Sequence, residues 1–130
     1  MNGVGAASDR VDQDMIDAYA QLSGDFNPLH VDPEVAAASE FGGTIAHGPI
    51  ALHSFFRAAT SLRGVEALPP GTEVQVVYRA PTRPGDTVTC VLEDVTEAED
   101  GSASVEAECV KQDGTAVVSV RAQLPPPPTP

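Results

Sequence analysis

Leu22-Ser23-Gly24-Asp25-Phe26-Asn27-Pro28-Leu29-His30 is the stretch from which the rest of this chain is best read. It sets a carboxylate and an imidazole five positions apart, with Asn27-Pro28 between them. The proline ring clashes with an α-conformation at the residue before it, so Asn27 cannot be helical and the chain must turn there. Asp25 and His30 can then fold toward each other instead of radiating from one helix. Held together, a carboxylate and an imidazole can share one water molecule and move its protons.

Working outward, the run before this turn reads as a helix over about residues 13–23. Asp12 is its N-cap, Met15, Ile16, Tyr19, Ala20 and Leu22 lie on one side, and Ser23-Gly24 ends it. After the turn, Pro33 suits the first turn of a short helix through Ala38, which Gly42-Gly43 stops. Thr44-Ile45-Ala46-His47-Gly48-Pro49 then leads into a helix to about Arg63, closed by Gly64. Ile50, Ala51, Leu52, Phe55, Phe56, Ala58, Ala59 and Leu62 cover most of its circumference, the pattern of a buried helix.

From Gly71 the period changes to two. Val74, Val76 and Tyr78 alternate with Gln75 and Arg79; Val88, Cys90 and Leu92 with Thr87, Thr89 and Glu93; Val105, Ala107 and Cys109 with Glu106 and Glu108; and Val118, Val120, Ala122 and Leu124 with Ser119, Arg121 and Gln123. Turns fall at 81–86, at Glu99-Asp100-Gly101 and at Gln112-Asp113-Gly114, the last a strong hairpin signal. Four strands with apolar inner faces and one buried helix predict an α+β domain over residues 10–124, an antiparallel sheet wrapped round that helix. Residues 1–9 and the proline-rich 125–130 are expected to be flexible ends.

The composition excludes several functions. At 130 residues the chain has one core, and with 5% aromatics and no Trp that core is Val, Ala and Leu. The net charge of −12, with Lys111 the single lysine beside six arginines, offers no basic patch for nucleic acid or an anionic membrane. It also disfavours an acidic acyl carrier as partner, although Arg79 and Arg83 can form a local positive spot. No charged start precedes an apolar run and no stretch of 18 apolar residues occurs, so a cytoplasmic chain is expected. Cys90 and Cys109, on the apolar side of their strands and without basic neighbours, read as buried small hydrophobes. His47 and His53 are six apart and no cysteine accompanies them, which argues against a metal site built from His30, His47 and His53. No glycine-rich phosphate loop or Gly-x-Ser-x-Gly elbow is present, and no cofactor is expected.

The 22–30 run, followed by Asp32-Pro33, Ala36-Ala37, Phe41, Ile45-Ala46-His47-Gly48, Arg79-Ala80-Pro81 and Arg83-Pro84-Gly85-Asp86-Thr87-Val88, resembles the MaoC-like hydratases and dehydratases. These have the hot dog fold and include the (R)-specific enoyl-CoA hydratases. The resemblance implies reversible hydration of a trans-2-enoyl thioester to an (R)-3-hydroxyacyl thioester. CoA or carrier-bound pantetheine would be part of the substrate. Asp25 and His30 would hold the catalytic water, which of them is acid and which base being open, and Gly48 would offer its N–H to the thioester carbonyl. Asn27 would position the loop or the Asp. A homodimer or higher homo-oligomer is implied as well. The alternatives are a dehydratase of a carrier-bound fatty acid or polyketide intermediate, a thioesterase of related fold, and a non-catalytic subunit of a hetero-oligomer.

The chain departs from the family pattern in three places. Pro49 has no N–H to add to that of Gly48, so the oxyanion hole leans on Gly48 and a water or side chain. His53 stands where a small or apolar residue is usual. Phe55 and Phe56 stand around a family serine, leaving Ser54 as the nearest hydroxyl. His53, Phe55 and Phe56 are therefore the candidates for an acyl pocket favouring short or polar chains. His47, just before a helix start, reads more as a structural histidine than a reacting one.

Overall fold

The computed structural model describes residues 6–127. Among these described residues nine elements follow one another: β1 (Ala6–Arg10), α1 (Gln13–Ser23), α2 (Pro28–Val31), α3 (Pro33–Ala37), α4 (Gly48–Arg63), β2 (Glu73–Tyr78), β3 (Thr87–Glu97), β4 (Ala103–Val110) and β5 (Ala116–Leu124). The strands form one antiparallel sheet in the order β1-β3-β4-β5-β2, with α4 laid across it. The expected sheet around a long helix is what the chain forms.

The local signals act as anticipated where capping chemistry is explicit. Asp12 accepts a hydrogen bond from the Met15 N–H at 2.9 Å, and Gly24 ends α1 in the left-handed conformation at φ 78°. Gly64 does the same for α4 at φ 64°. The tight turn at 111–115 joins β4 to β5, where Thr115 N–H also donates to Asp113 Oδ1 at 2.9 Å.

Three expectations fail. Residues 6–9, expected within a flexible end, belong to β1, which pairs with β3 from Ala6↔Val91 to Arg10↔Thr87. Ala-Ala-Ser-Asp-Arg has no β-branched or aromatic residue to announce a strand, and only the ladder offered by β3 makes it one. The remaining flexible-end positions, 1–5 and 128–130, lie outside the described residues. At Pro125 the tail is tied down rather than trailing: Arg63 donates to the Pro125 and Gly101 carbonyls at 2.7 and 2.8 Å.

Secondly, α4 is buried on one side only. Ile50, Ala51, Leu52, Phe55, Ala58 and Ala59 enter the core, whereas His53, Phe56 and Arg57 face outward. A single sheet covers one stripe of a helix, whatever the sequence carries on the other. Thirdly, α1 buries Ile16 and Ala20 but leaves Leu22 83% exposed. The strands keep the predicted alternation best in β4, where Ala103, Val105, Ala107 and Cys109 are all buried. In β3 the alternation buries Val88 and Cys90 and turns Val91 outward, until a register shift between Leu92 and Asp94 ends it and Val95 is exposed as well.

Cys90 and Cys109 sit opposite one another across β3 and β4, both fully buried and both free thiols. The facing Cys109 and burial push the Cys90 thiol up, so it stays protonated. Among the described residues no helix is long and apolar enough to cross a membrane.

Candidate active site

Asn27 stays out of the helical region, at φ −52° and ψ 130°, and serves as the N-cap of the one-turn helix α2 that follows. That turn was not legible beforehand; Pro28 at its first position needs no N–H partner, and Asn27 Oδ1 accepts from Leu29 N–H at 3.0 Å. Asn27 N–H in turn donates to Asp25 Oδ1 at 3.2 Å. Asn27 thus ties the carboxylate with its backbone and the loop with its side chain.

The effect is to swing His30 back toward Asp25, with His30 Nε2 3.7 Å from Asp25 Oδ2. That is longer than a hydrogen bond, so neither group satisfies the other. Nδ1 of His30 lies 2.8 Å from the Ile45 carbonyl, which can only accept, so Nδ1 carries a proton and, in the neutral ring, the Nε2 lone pair faces the carboxylate. A water between the two would donate one hydrogen to each. Gln13 fixes the backbone here, donating to the His30 carbonyl at 2.9 Å while accepting from Thr44 Oγ1 at 2.7 Å. Nothing in the sequence pattern marks Gln13 for this work.

His47 is more closely involved than its position before a helix suggested. It is 3% exposed, its ring stacks on His30 at 3.8 Å between centroids, and Tyr19 packs against it at 4.7 Å. Its Nε2 donates to the Asp25 carbonyl at 2.9 Å. One ring therefore holds the backbone of one member of the pair and the imidazole of the other. Asp25, His30 and His47 bring potential ligand atoms within 4.8 Å of one another, a grouping that leaves out His53.

Gly48 opens α4, and the first amides of a helix have no intrahelical partner and sit at the positive end of its dipole. His47 provides no side-chain cap there. The reason for glycine is steric: a Cβ at position 48 would lie 2.7 Å from Tyr78 Cε1 and 2.8 Å from Tyr78 Cζ. His30, His47, Gly48, Pro49 and Tyr78 line one cavity of about 490 Å³, whose far wall is the 79–82 segment.

That wall is held from behind. Thr82 accepts from Ala46 N–H at 2.7 Å, so the wall and the approach to α4 are joined. Asp86 accepts from Arg83 N–H at 2.8 Å, from Gln112 at 2.8 Å and from Lys111 Nζ at 3.1 Å. Burial alone would raise the Asp86 pKa. The bonds from Gln112, Arg83 and Lys111, with the Lys111 charge, outweigh it and hold the carboxyl below the ordinary value.

On the other side of Pro49 a second cavity of about 410 Å³ lies between α1 and α4, lined by Asp9, Met15, Ala18, Tyr19, Leu22, Pro49, Ile50 and His53. His53 therefore does reach a pocket. Phe55 does not: it is fully buried in the core. Phe56 is on the outward side of α4, and neither ring lines either cavity. Ser54 is also in the core, bonded to the Ala51 carbonyl and Cys109 Sγ, and supplies no hydroxyl to the site.

A sheet folded against one long helix, with an Asp/His pair beside that helix's N-terminus, is the architecture of a hot dog protein. The MaoC like domain matches residues 3–116, and the chain belongs to that family. It is similar to the (R)-specific enoyl-CoA hydratase of Aeromonas caviae, 38% identical over 85 residues, which are 64% of this chain and 61% of that protein. A probable dehydratase, NIT22, of Ajellomyces capsulatus is 32% identical over 75 residues, 58% of this chain but 20% of its own length. The chain thus spans less than two thirds of these curated relatives. The solved structure of an (R)-hydratase from A. caviae involved in PHA biosynthesis superimposes with a TM-score of 0.81 at 29% identity, covering 94% of this chain and 92% of the other. Its likeness and the topology above give this chain the hot dog fold.

Proposed function

We propose that the chain is a hydro-lyase that adds water reversibly across a trans-2-enoyl thioester to give a 3-hydroxyacyl thioester, with (R) configuration at the new centre. The observation that carries this reading is His30 Nε2, lone pair outward, 3.7 Å from Asp25 Oδ2 beside the start of α4. In the hydration direction one water donates to both groups. Its oxygen bonds to C3 while His30 Nε2 takes a proton, and the C2=C3 electron pair moves toward the thioester carbonyl. Negative charge builds on that oxygen, where the Gly48 N–H and the α4 dipole stabilise it. The imidazolium then gives one proton to C2, and Asp25 offsets its charge until it does. Dehydration is the same path reversed.

CoA or a carrier-bound pantetheine is part of the substrate in this reading, and no cofactor takes part. Pro49 borders both cavities, so a thioester at Gly48 can send its acyl chain toward Met15, Leu22, Ile50 and His53. With Phe55 and Phe56 outside that pocket, His53 alone of the three expected residues is proposed to contact the acyl chain. Self-association is supported by β2, an edge strand with Val77 and Tyr78 half exposed, the kind of edge that proteins cover by pairing.

The test is turnover of crotonyl-CoA by the purified chain, followed by loss of enoyl thioester absorbance, with the product resolved on a chiral column. Hydration to the (R) product is expected. Absence of turnover in both directions, with CoA and with carrier-bound thioesters alike, would overturn the reading. Light scattering should give about twice 13.5 kDa or a multiple of it.

A further inference from the structure

We propose that the Tyr78 hydroxyl is a catalytic hydrogen-bond donor to the thioester oxygen, taking the place of the amide that Pro49 cannot supply. This rests on the hydro-lyase reading and adds a residue to it. An oxyanion at the start of a helix ordinarily draws on successive free amides. Here the first belongs to Gly48, the second position is Pro49, and Ile50 N–H is already directed to the His47 carbonyl at 3.1 Å. One backbone donor remains where charge would develop.

Tyr78 reaches the same place from β2. Its ring presses on the α-carbon of Gly48 so closely that a methyl group there would meet Cζ, the atom bearing the hydroxyl, at 2.8 Å. It lines the cavity that holds His30, His47 and Gly48. The chain has only two tyrosines, and the other, Tyr19, packs on His47. Although Tyr78 is half exposed, partial desolvation, followed by the neighbouring Tyr19, raises its pKa above that of an ordinary phenol, so the hydroxyl keeps the proton it would donate. Such a donor is neutral, fixed by a strand, and costs no reorganisation when charge appears on the substrate.

The experiment compares Tyr78→Phe with the wild type, alone and combined with Pro49→Ala, which restores an amide N–H at position 49. On crotonyl-CoA, Tyr78→Phe should lower kcat by roughly 10²-fold, the loss seen when one oxyanion donor is removed, with KM nearly unchanged. In the Pro49→Ala background the same change should cost about tenfold less, because the restored amide shares the load. An independent readout is the carbonyl stretch of bound butyryl-CoA, which cannot be hydrated. The wild type should shift it to lower frequency and Tyr78→Phe should return it part of the way. Wild-type kcat and an unmoved stretch in Tyr78→Phe, or an equal loss in both backgrounds, would overturn the Tyr78 role while leaving the hydro-lyase reading intact. If the wild type turns over neither CoA nor carrier-bound thioesters in either direction, the hydro-lyase reading falls and the Tyr78 role with it.

Discussion

The two cavities that meet at Pro49 are close in size, about 490 and 410 Å³, and differ in what they contain. One gathers His30, His47, Gly48 and Tyr78, each with its position fixed by a hydrogen bond or a ring contact to another element. The other is walled chiefly by α1 and the first turns of α4, mostly with flexible or small apolar side chains such as Met15, Ala18 and Ile50. The first has the rigidity that proton transfer needs, since a reacting atom misplaced by an ångström costs most of the rate. The second has the adaptability that suits an acyl tail. Changes on the first side should therefore act on the chemical step, and changes on the second on which substrate is preferred.

The largest effect is expected from Asp25 and His30, the pair proposed to share the water. Asp25→Asn and His30→Gln should each lower the rate by roughly 10²–10⁴-fold while the protein stays folded, read by kcat alongside circular dichroism. A single variant with near wild-type kcat would break the distinction between the two sides.

Next in size is a loss of stability confined to the wall of the reactive side. Lys111→Met leaves Asp86 buried without its cation and should destabilise the fold by about 3 kcal/mol in urea unfolding. The sign of the pH dependence follows from Asp86. Its folded pKa lies below the unfolded value of about 3.9, so its contribution is fully present above that value and fades as pH falls through the folded one. Removing Lys111 should raise the folded pKa and move the onset of acid unfolding to higher pH. An unchanged midpoint at pH 7 and at pH 4 would show that this network holds nothing in place.

A smaller change belongs to the apolar side. His53→Ala should shift the preference between C4 and C10–C12 enoyl thioesters toward the longer ones by a few-fold, roughly 1 kcal/mol in kcat/KM, with kcat on C4 little altered. If the profile does not move, the α1–α4 cavity does not receive the acyl chain. The smallest effect is none: dialysis against a strong chelator should leave hydration unchanged, because the Asp25, His30 and His47 grouping is read as holding water. Loss of activity restored by one added metal would reassign it.

The features legible in the sequence were those set by local chemistry. Asp12, Gly24, Asn27-Pro28, Gly64 and Asp113-Gly114 each dictate a backbone conformation by themselves, and each does so in the fold. What was hidden depends on a partner distant in sequence. β1 is a strand because β3 offers it a ladder. His47 enters the site because Asp25, 22 residues earlier, presents a carbonyl to it. Phe55 and Phe56, adjacent and alike, diverge because one sheet covers only one stripe of α4. Tyr78 reads as one more inward position of a strand until its ring is seen against Gly48.

One water shared by Asp25 and His30 is the centre of this account, and the measurement that tests it most directly is a double-mutant cycle. The rate of crotonyl-CoA hydration is compared among the wild type, Asp25→Asn, His30→Gln and the variant carrying both. Groups that serve a single water should be grossly non-additive, so the double variant should be about as slow as the slower single one. A double variant whose loss equals the product of the two single losses would mean that Asp25 and His30 act independently, and the shared water would be contradicted.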